Sequence, residues 1–168
     1  LAHIPEDRQR MGLVTEFKAH ENLIFGYHHQ EPYSKSSILQ EKEIMSFSKK
    51  VMEEYDVRPT SPNLITSNFS GGNQQKIILS RELNENPKVL LIGQPTRGVD
   101  IGAIEFIHQR LIDMRDKGAA ILLVSVELEE VLSLSDRIVV MFDGNIVGEK
   151  INKDVTDRDL GLLMAGVA

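Results

Sequence analysis

Cysteine is absent from the 168 residues, which excludes disulfides and thiolate metal sites. A basic excess is absent as well: 19 Lys and Arg stand against 25 Asp and Glu, a formal charge of −6. A protein held to nucleic acid mainly through phosphates needs a basic stripe, so no nucleic-acid partner is expected. No apolar run approaches the roughly 18 residues of a membrane-spanning helix. The opening Leu1-Ala2-His3-Ile4-Pro5 has the pattern of neither a signal peptide nor a transit peptide. A cytosolic setting fits the lack of cysteine. Repeats and low-complexity tracts are also missing. So is a starting Met, and the chain opens abruptly in what reads as a short strand, as a piece of a longer protein would.

What is present is ordinary for a globular domain: 41% apolar and 26% charged residues, on a chain long enough to bury a core. Up to residue 88 the pattern is helical or irregular, with turn signals at Glu31-Pro32-Tyr33-Ser34 and Arg58-Pro59-Thr60-Ser61-Pro62. Ile38, Ile44, Met45, Val51 and Met52 predict a helix within 38–55, its outer face carrying Glu41, Lys42, Lys49, Lys50 and Glu53. A second helix is predicted from Gly71 or Gly72 to about Glu85, with Pro87 beyond its end.

From Lys88 onward the period changes. Val89–Ile92, Ala120–Val124 and Ile138–Phe142 are short continuous apolar runs, which read as parallel strands buried on both faces. Helical stretches at 103–114 and 127–134 alternate with them, the pattern of βαβ units. Asp143-Gly144 predicts a hairpin with a return strand over 145–149, and residues 154–165 predict a closing helix. Glu127, Glu129 and Glu130 read as a solvated helix start favoured by the dipole. The five histidines lack metal spacing with suitable carboxylates, and no metal ligand is assigned.

The chemistry concentrates at Ser70-Gly71-Gly72-Asn73-Gln74-Gln75-Lys76. Two glycines at a helix start let backbone N–H groups approach an anion closely. The Ser70 hydroxyl either caps the helix or hydrogen-bonds a phosphate oxygen.

Downstream come Gln94-Pro95-Thr96-Arg97-Gly98-Val99-Asp100, Ser125-Val126-Glu127 and Ser135-Asp136-Arg137. Upstream lies Ile4-Pro5-Glu6-Asp7-Arg8. In this order and spacing, and over essentially the whole chain, the sequence resembles the nucleotide-binding subunit of an ABC transporter of the sugar and nucleoside importer class. It is most like the second nucleotide-binding domain of nucleoside importers.

The resemblance implies an α/β fold: part of a RecA-like P-loop NTPase core with an inserted helical subdomain. Residues 1–12 would be the Q-loop end of the RecA-like core, 13–88 the helical subdomain with the signature motif, and 89–168 a RecA-like subdomain with a degenerate Walker B, the D-loop and the switch region. Ser70, Gly71, Gly72, Asn73, Gln74, Glu6 and Asp100 then fall at nucleotide-facing positions. ATP and Mg²⁺ are the implied cofactors of the full transporter. The implied partners are permease subunits and the first nucleotide-binding domain of the same parent chain, at the cytoplasmic face of the membrane. The apolar residues of 11–27 would suit a permease contact or a buried core.

The departures from the family pattern are as informative. No G-x-x-x-x-G-K-S/T occurs, so the phosphate-cradling loop is not among these residues. Gly93 and Gln94 stand where the family has its metal-holding Asp and catalytic Glu. Gly binds no metal, and Gln orients a water without accepting its proton, a loss of about 10²–10⁴-fold. Val126 replaces the switch histidine, and Glu6 the Q-loop glutamine, with a carboxylate still able to meet Mg²⁺ or a water. Ribose or simple-sugar import is the alternative cargo. A non-catalytic module that binds permease and partner ATPase is the alternative role.

Overall fold

The computed structural model describes residues 1–167, with every side chain among them except that of Asp154. Ala168, which ends the predicted third region, lies outside the described residues. Contacts divide the chain into two units, Leu1–Leu122 and the part from Leu123 onward.

The first unit is organised around one helix. Strand β1 (Ala2–Ile4) leads through a π-helical turn, Arg8–Gly12, to the short helix α1 (Ala19–Leu23). Strands β2 (Ser34–Lys35) and β3 (Ile38–Leu39) form a small hairpin before helix α2 (Glu41–Glu54). Helix α3 (Gly71–Asn84), strand β4 (Val89–Gly93) and helix α4 (Ile101–Asp116) follow, and the boundary between units falls inside strand β5 (Ala120–Val124). The strands order as β1-β4-β5. β1 lies parallel to β4, with Ala2 opposite Leu90 and Ile4 opposite Ile92. Ile4, Leu90 and Ile92 are fully buried, as are Ile77, Ile78 and Leu79 of α3 and Ile107 of α4.

α3 is buried on nearly every side, polar residues included: Gln74, Gln75, Lys76, Ser80 and Arg81 all lie inside. Burying charge is costly unless it is paired and hydrogen-bonded. The Lys76 ammonium donates to the Asp56 carbonyl at 2.9 Å and its carboxylate at 3.1 Å, and sits 4.8 Å above the Phe106 ring. Arg81 donates to the Glu82 carboxylate at 2.9 Å and the Asn22 carbonyl at 3.4 Å. Hydrogen bonds first from Arg58 and then from Lys76 hold the Asp56 carboxyl below its ordinary range.

The second unit holds helix α5 (Leu128–Leu134), strands β6 (Arg137–Phe142) and β7 (Asn145–Ile151), and helix α6 (Asp157–Met164). Ile138, Val140 and Leu160 form its core, with Leu128, Val131 and Leu132 against them.

Four expectations are corrected. The run at 120–124 is a strand but is not buried on both faces: Ala120, Leu122 and Val124 are exposed. The run at 138–142 is not a parallel strand buried on both faces. Asp143 and Gly144 both take positive φ, 46° and 75°, and fold β7 back antiparallel on β6. β6 therefore buries Ile138 and Val140 and exposes Val139, Met141 and Phe142. Ile38 is not helical: Ser36 and Ser37 at φ 51° and 64° reverse the chain, so Ile38 pairs with Lys35 and α2 starts three residues later. Glu130 is not solvated. α5 turns it inward, and the residue is buried.

The β6–β7 sheet leaves an apolar surface bare: Met141 (64% exposed) faces Ile146 (68% exposed) across the hairpin. Exposed apolar strands invite association with another chain. Dimers or larger species are expected in light scattering of this chain, diminished by joint Met141→Lys and Ile146→Lys substitution. A strictly monomeric chain at high concentration would count against this.

Candidate nucleotide-facing site

Two helix starts meet in the first unit. Ser70 is the N-cap of α3: its hydroxyl oxygen accepts from the Asn73 amide at 3.4 Å and from the Asn73 side-chain amide at 2.9 Å. The capping role therefore stands in the geometry, and the hydroxyl proton remains to be donated outward. Asp100 is the N-cap of α4 and accepts from the Ala103 amide at 2.9 Å. The two starts touch at Gly72. A Cβ there would stand 3.0 Å from the Ala103 Cβ and 3.1 Å from Asp100 Oδ2. Gly71 is as closely hemmed, since its Cβ would lie 2.6 Å from Arg8 Nη2 and 3.0 Å from the Gly98 carbonyl oxygen. The glycines are thus needed for close approach. They leave exposed Ser70 beside the free N–H groups of the first turn of α3, a position that favours an anion.

The remaining predicted residues sort by placement. Asn73 is partly buried, and its Oδ1 accepts from the Arg58 amide at 2.7 Å. Gln74 points inward: its Oε1 accepts from Gln9 at 3.1 Å and its Nε2 donates to the Thr66 carbonyl at 3.1 Å. Gln74 sits inside α3 as a tie between elements and does not line the Ser70 turn. Glu6 pairs with Arg97 through Oε1 and Nη1. Gly93 ends β4 directly against Glu6, so that a Cβ at 93 would come within 3.3 Å of the Glu6 amide nitrogen. Gln94 follows in the left-handed region at φ 47°, which is costly for a residue with a side chain. Val126 lies in the second unit, well exposed and aliphatic.

The residues present therefore fit the anionic end of a nucleotide at the start of α3. At position 93 they supply no side-chain ligand for a metal ion. Among the described residues, no group of three or more His, Asp or Glu could hold a metal. An open cleft of about 530 Å³ beside the β2–β3 hairpin is lined by His28, His29, Glu31, Ser34, Ser36, Ser37 and Leu39, none of them a predicted site residue.

Solved structures share the fold. A nucleotide-free ATP-binding cassette from an ABC transporter superposes with a TM-score of 0.67 at 25% identity, over 89% of this chain and 61% of that one. A cassette in a dimeric post-hydrolysis state, bound to ADP and Pi, gives a TM-score of 0.70 at 23% identity, over 90% and 62% of the two chains. No family model matches the sequence. Curated relatives do. The guanosine import ATP-binding protein NupO of Bacillus subtilis is 46% identical over 99% of this chain and 32% of its own length. The chain belongs to the ABC transporter ATP-binding family. The nucleoside import ATP-binding protein NupA of Lactococcus lactis is 47% identical over 99% of this chain and 33% of its own length. The ribose import ATP-binding protein RbsA of Oceanobacillus iheyensis is 34% identical over 95% and 32%. The chain spans about a third of the length of these relatives. Among its described residues, no helix is long and apolar enough to cross a membrane.

Residues 8, 9 and 97 were missed as site residues in the sequence. Their only signal is adjacency to Glu6 and Gly98, because the partners that give them meaning lie 65 to 91 positions away.

Gly72→Ala is expected to force α3 and α4 apart and to lower stability by about 1–3 kcal/mol, the usual cost of overpacking. Urea unfolding of the two proteins measures it. An unchanged midpoint would show that the contact yields freely.

Proposed function

We propose that this chain is the second nucleotide-binding half of a nucleoside importer, working head to tail with a first half of the same parent protein on the cytoplasmic side of its permease. The supporting observation is the Ser70-Gly71-Gly72 turn, kept open by Gly71 and Gly72 and set beside the 95–100 loop, while positions 93, 94 and 126 lack catalytic side chains. The turn presents N–H groups and one hydroxyl to the phosphates of an ATP held by the opposed half. ATP hydrolysis in that opposed site supplies the free energy for uptake. This half's own site lacks a metal ligand at Gly93, and Gln94 orients a water without taking its proton. Nucleosides are preferred over sugars as cargo because identity is higher to the nucleoside-import relatives than to the ribose-import one.

In the full transporter, Ser70→Arg should abolish most ATP hydrolysis, because the long side chain would fill the opposed phosphate site. Gln94→Ala should cost far less. Steady-state ATPase rates decide it, and comparable losses would refute the asymmetry.

Cargo is tested by uptake of labelled nucleosides and pentoses in cells with and without the parent gene. Loss of nucleoside uptake alone is expected. Loss of ribose uptake with nucleoside uptake intact would reverse the assignment.

A further inference from the structure

Residues 6–9 tie three other segments together. Arg8 Nη1 donates to the Arg97 carbonyl at 2.6 Å and Nη2 to the Gly98 carbonyl at 3.3 Å. The same Nη2 packs on Gly71, in space that any side chain there would claim. Glu6 holds the Arg97 side chain, and Gln9 holds Gln74 on the inner face of α3. Asp7 caps the turn that carries Arg8 and Gln9, accepting from the Gln9 and Arg10 amides at 3.2 and 3.0 Å.

Arg8 is the member of this set that touches both the Ser70-Gly71-Gly72 turn and the 95–100 loop. Its partners are main-chain carbonyls, so its grip does not depend on which side chains the loop carries. The planar fork suits two neighbouring acceptors, which a lysine cannot reproduce. The exposed Glu6–Arg97 pair contributes little by itself.

We propose that Arg8 is a positioning residue for ATP binding: it locks the signature turn and the 95–100 loop into the one relation in which both can close on ATP held by the opposed half. The proposal rests on the head-to-tail reading given above. Without Arg8 the loop samples other arrangements. ATP must then select the competent one, and apparent affinity falls by the fraction that is competent. Saturating ATP restores the arrangement, so the cost appears in KM and not in kcat.

The test is steady-state ATPase kinetics of the full transporter with Arg8→Ala, Arg8→Lys and Ser70→Arg. Arg8→Ala is expected to raise the KM for ATP roughly tenfold, the scale of a charge-assisted hydrogen bond, with kcat within about threefold of wild type. Arg8→Lys, which reaches one carbonyl, should fall between, and it carries the test alone if Arg8→Ala does not fold. A merely structural role would lower kcat with the active fraction and leave KM unchanged, and that result overturns the proposal. So does a wild-type KM in both Arg8 variants while Ser70→Arg is inactive. Full activity of Ser70→Arg would instead overturn the head-to-tail reading, and the proposal with it.

Discussion

The absence of side chains at Gly71 and Gly72 is the constraint on which the rest of the first unit depends. It lets the start of α3 lie against the Gly98 carbonyl, Ala103 and Arg8 so closely that a Cβ would force these neighbours to shift. From that contact follow the pairing of the two helix caps, Ser70 and Asp100, and the open face beside the first turn of α3. The same helix then runs straight through the core, so the position of the turn is fixed by Ile77, Ile78 and Leu79, all fully buried. Binding chemistry at one end is anchored by apolar packing in the middle.

The polar residues of α3 explain how a helix so rich in Gln, Lys and Arg can be buried. Three of its long side chains reach partners on neighbouring segments: Gln74 to Gln9 and Thr66, Lys76 to Asp56, Arg81 to Asn22. These bonds add direction to packing that apolar contact alone would leave free to slide. The Gln and Lys that follow the two glycines thus act mainly inside the protein, while the glycines and Ser70 face outward from it.

Local chemistry made much of this legible. The extent of α3 follows from Ser70 and the glycines at one end and Pro87 past the other, and the run at 120–124 forms a strand over its predicted length, though without the burial on both faces that its apolar run predicted. What escaped depends on distant partners or on unusual backbone. The β2–β3 hairpin turns on two serines at positive φ, which carry none of the usual Gly or Asn signal. The antiparallel pairing of β6 was half visible, since Asp143-Gly144 predicted the hairpin while the apolar run predicted a parallel strand. The Arg8 contacts span some 90 positions, and no periodicity reports them.

The packing of Gly93 against Glu6 bears on how this half could change over evolutionary time. Gly93 lies against Glu6, whose amide nitrogen is 3.3 Å from where a Cβ would stand, and Gln94 follows it at positive φ. An Asp at 93 would need the Glu6 main chain to give by a few tenths of an ångström, and a Glu at 94 would take the same left-handed bend as Gln94. In terms of sequence change, an acidic side chain at either position would be accommodated only together with a small shift of its own neighbours.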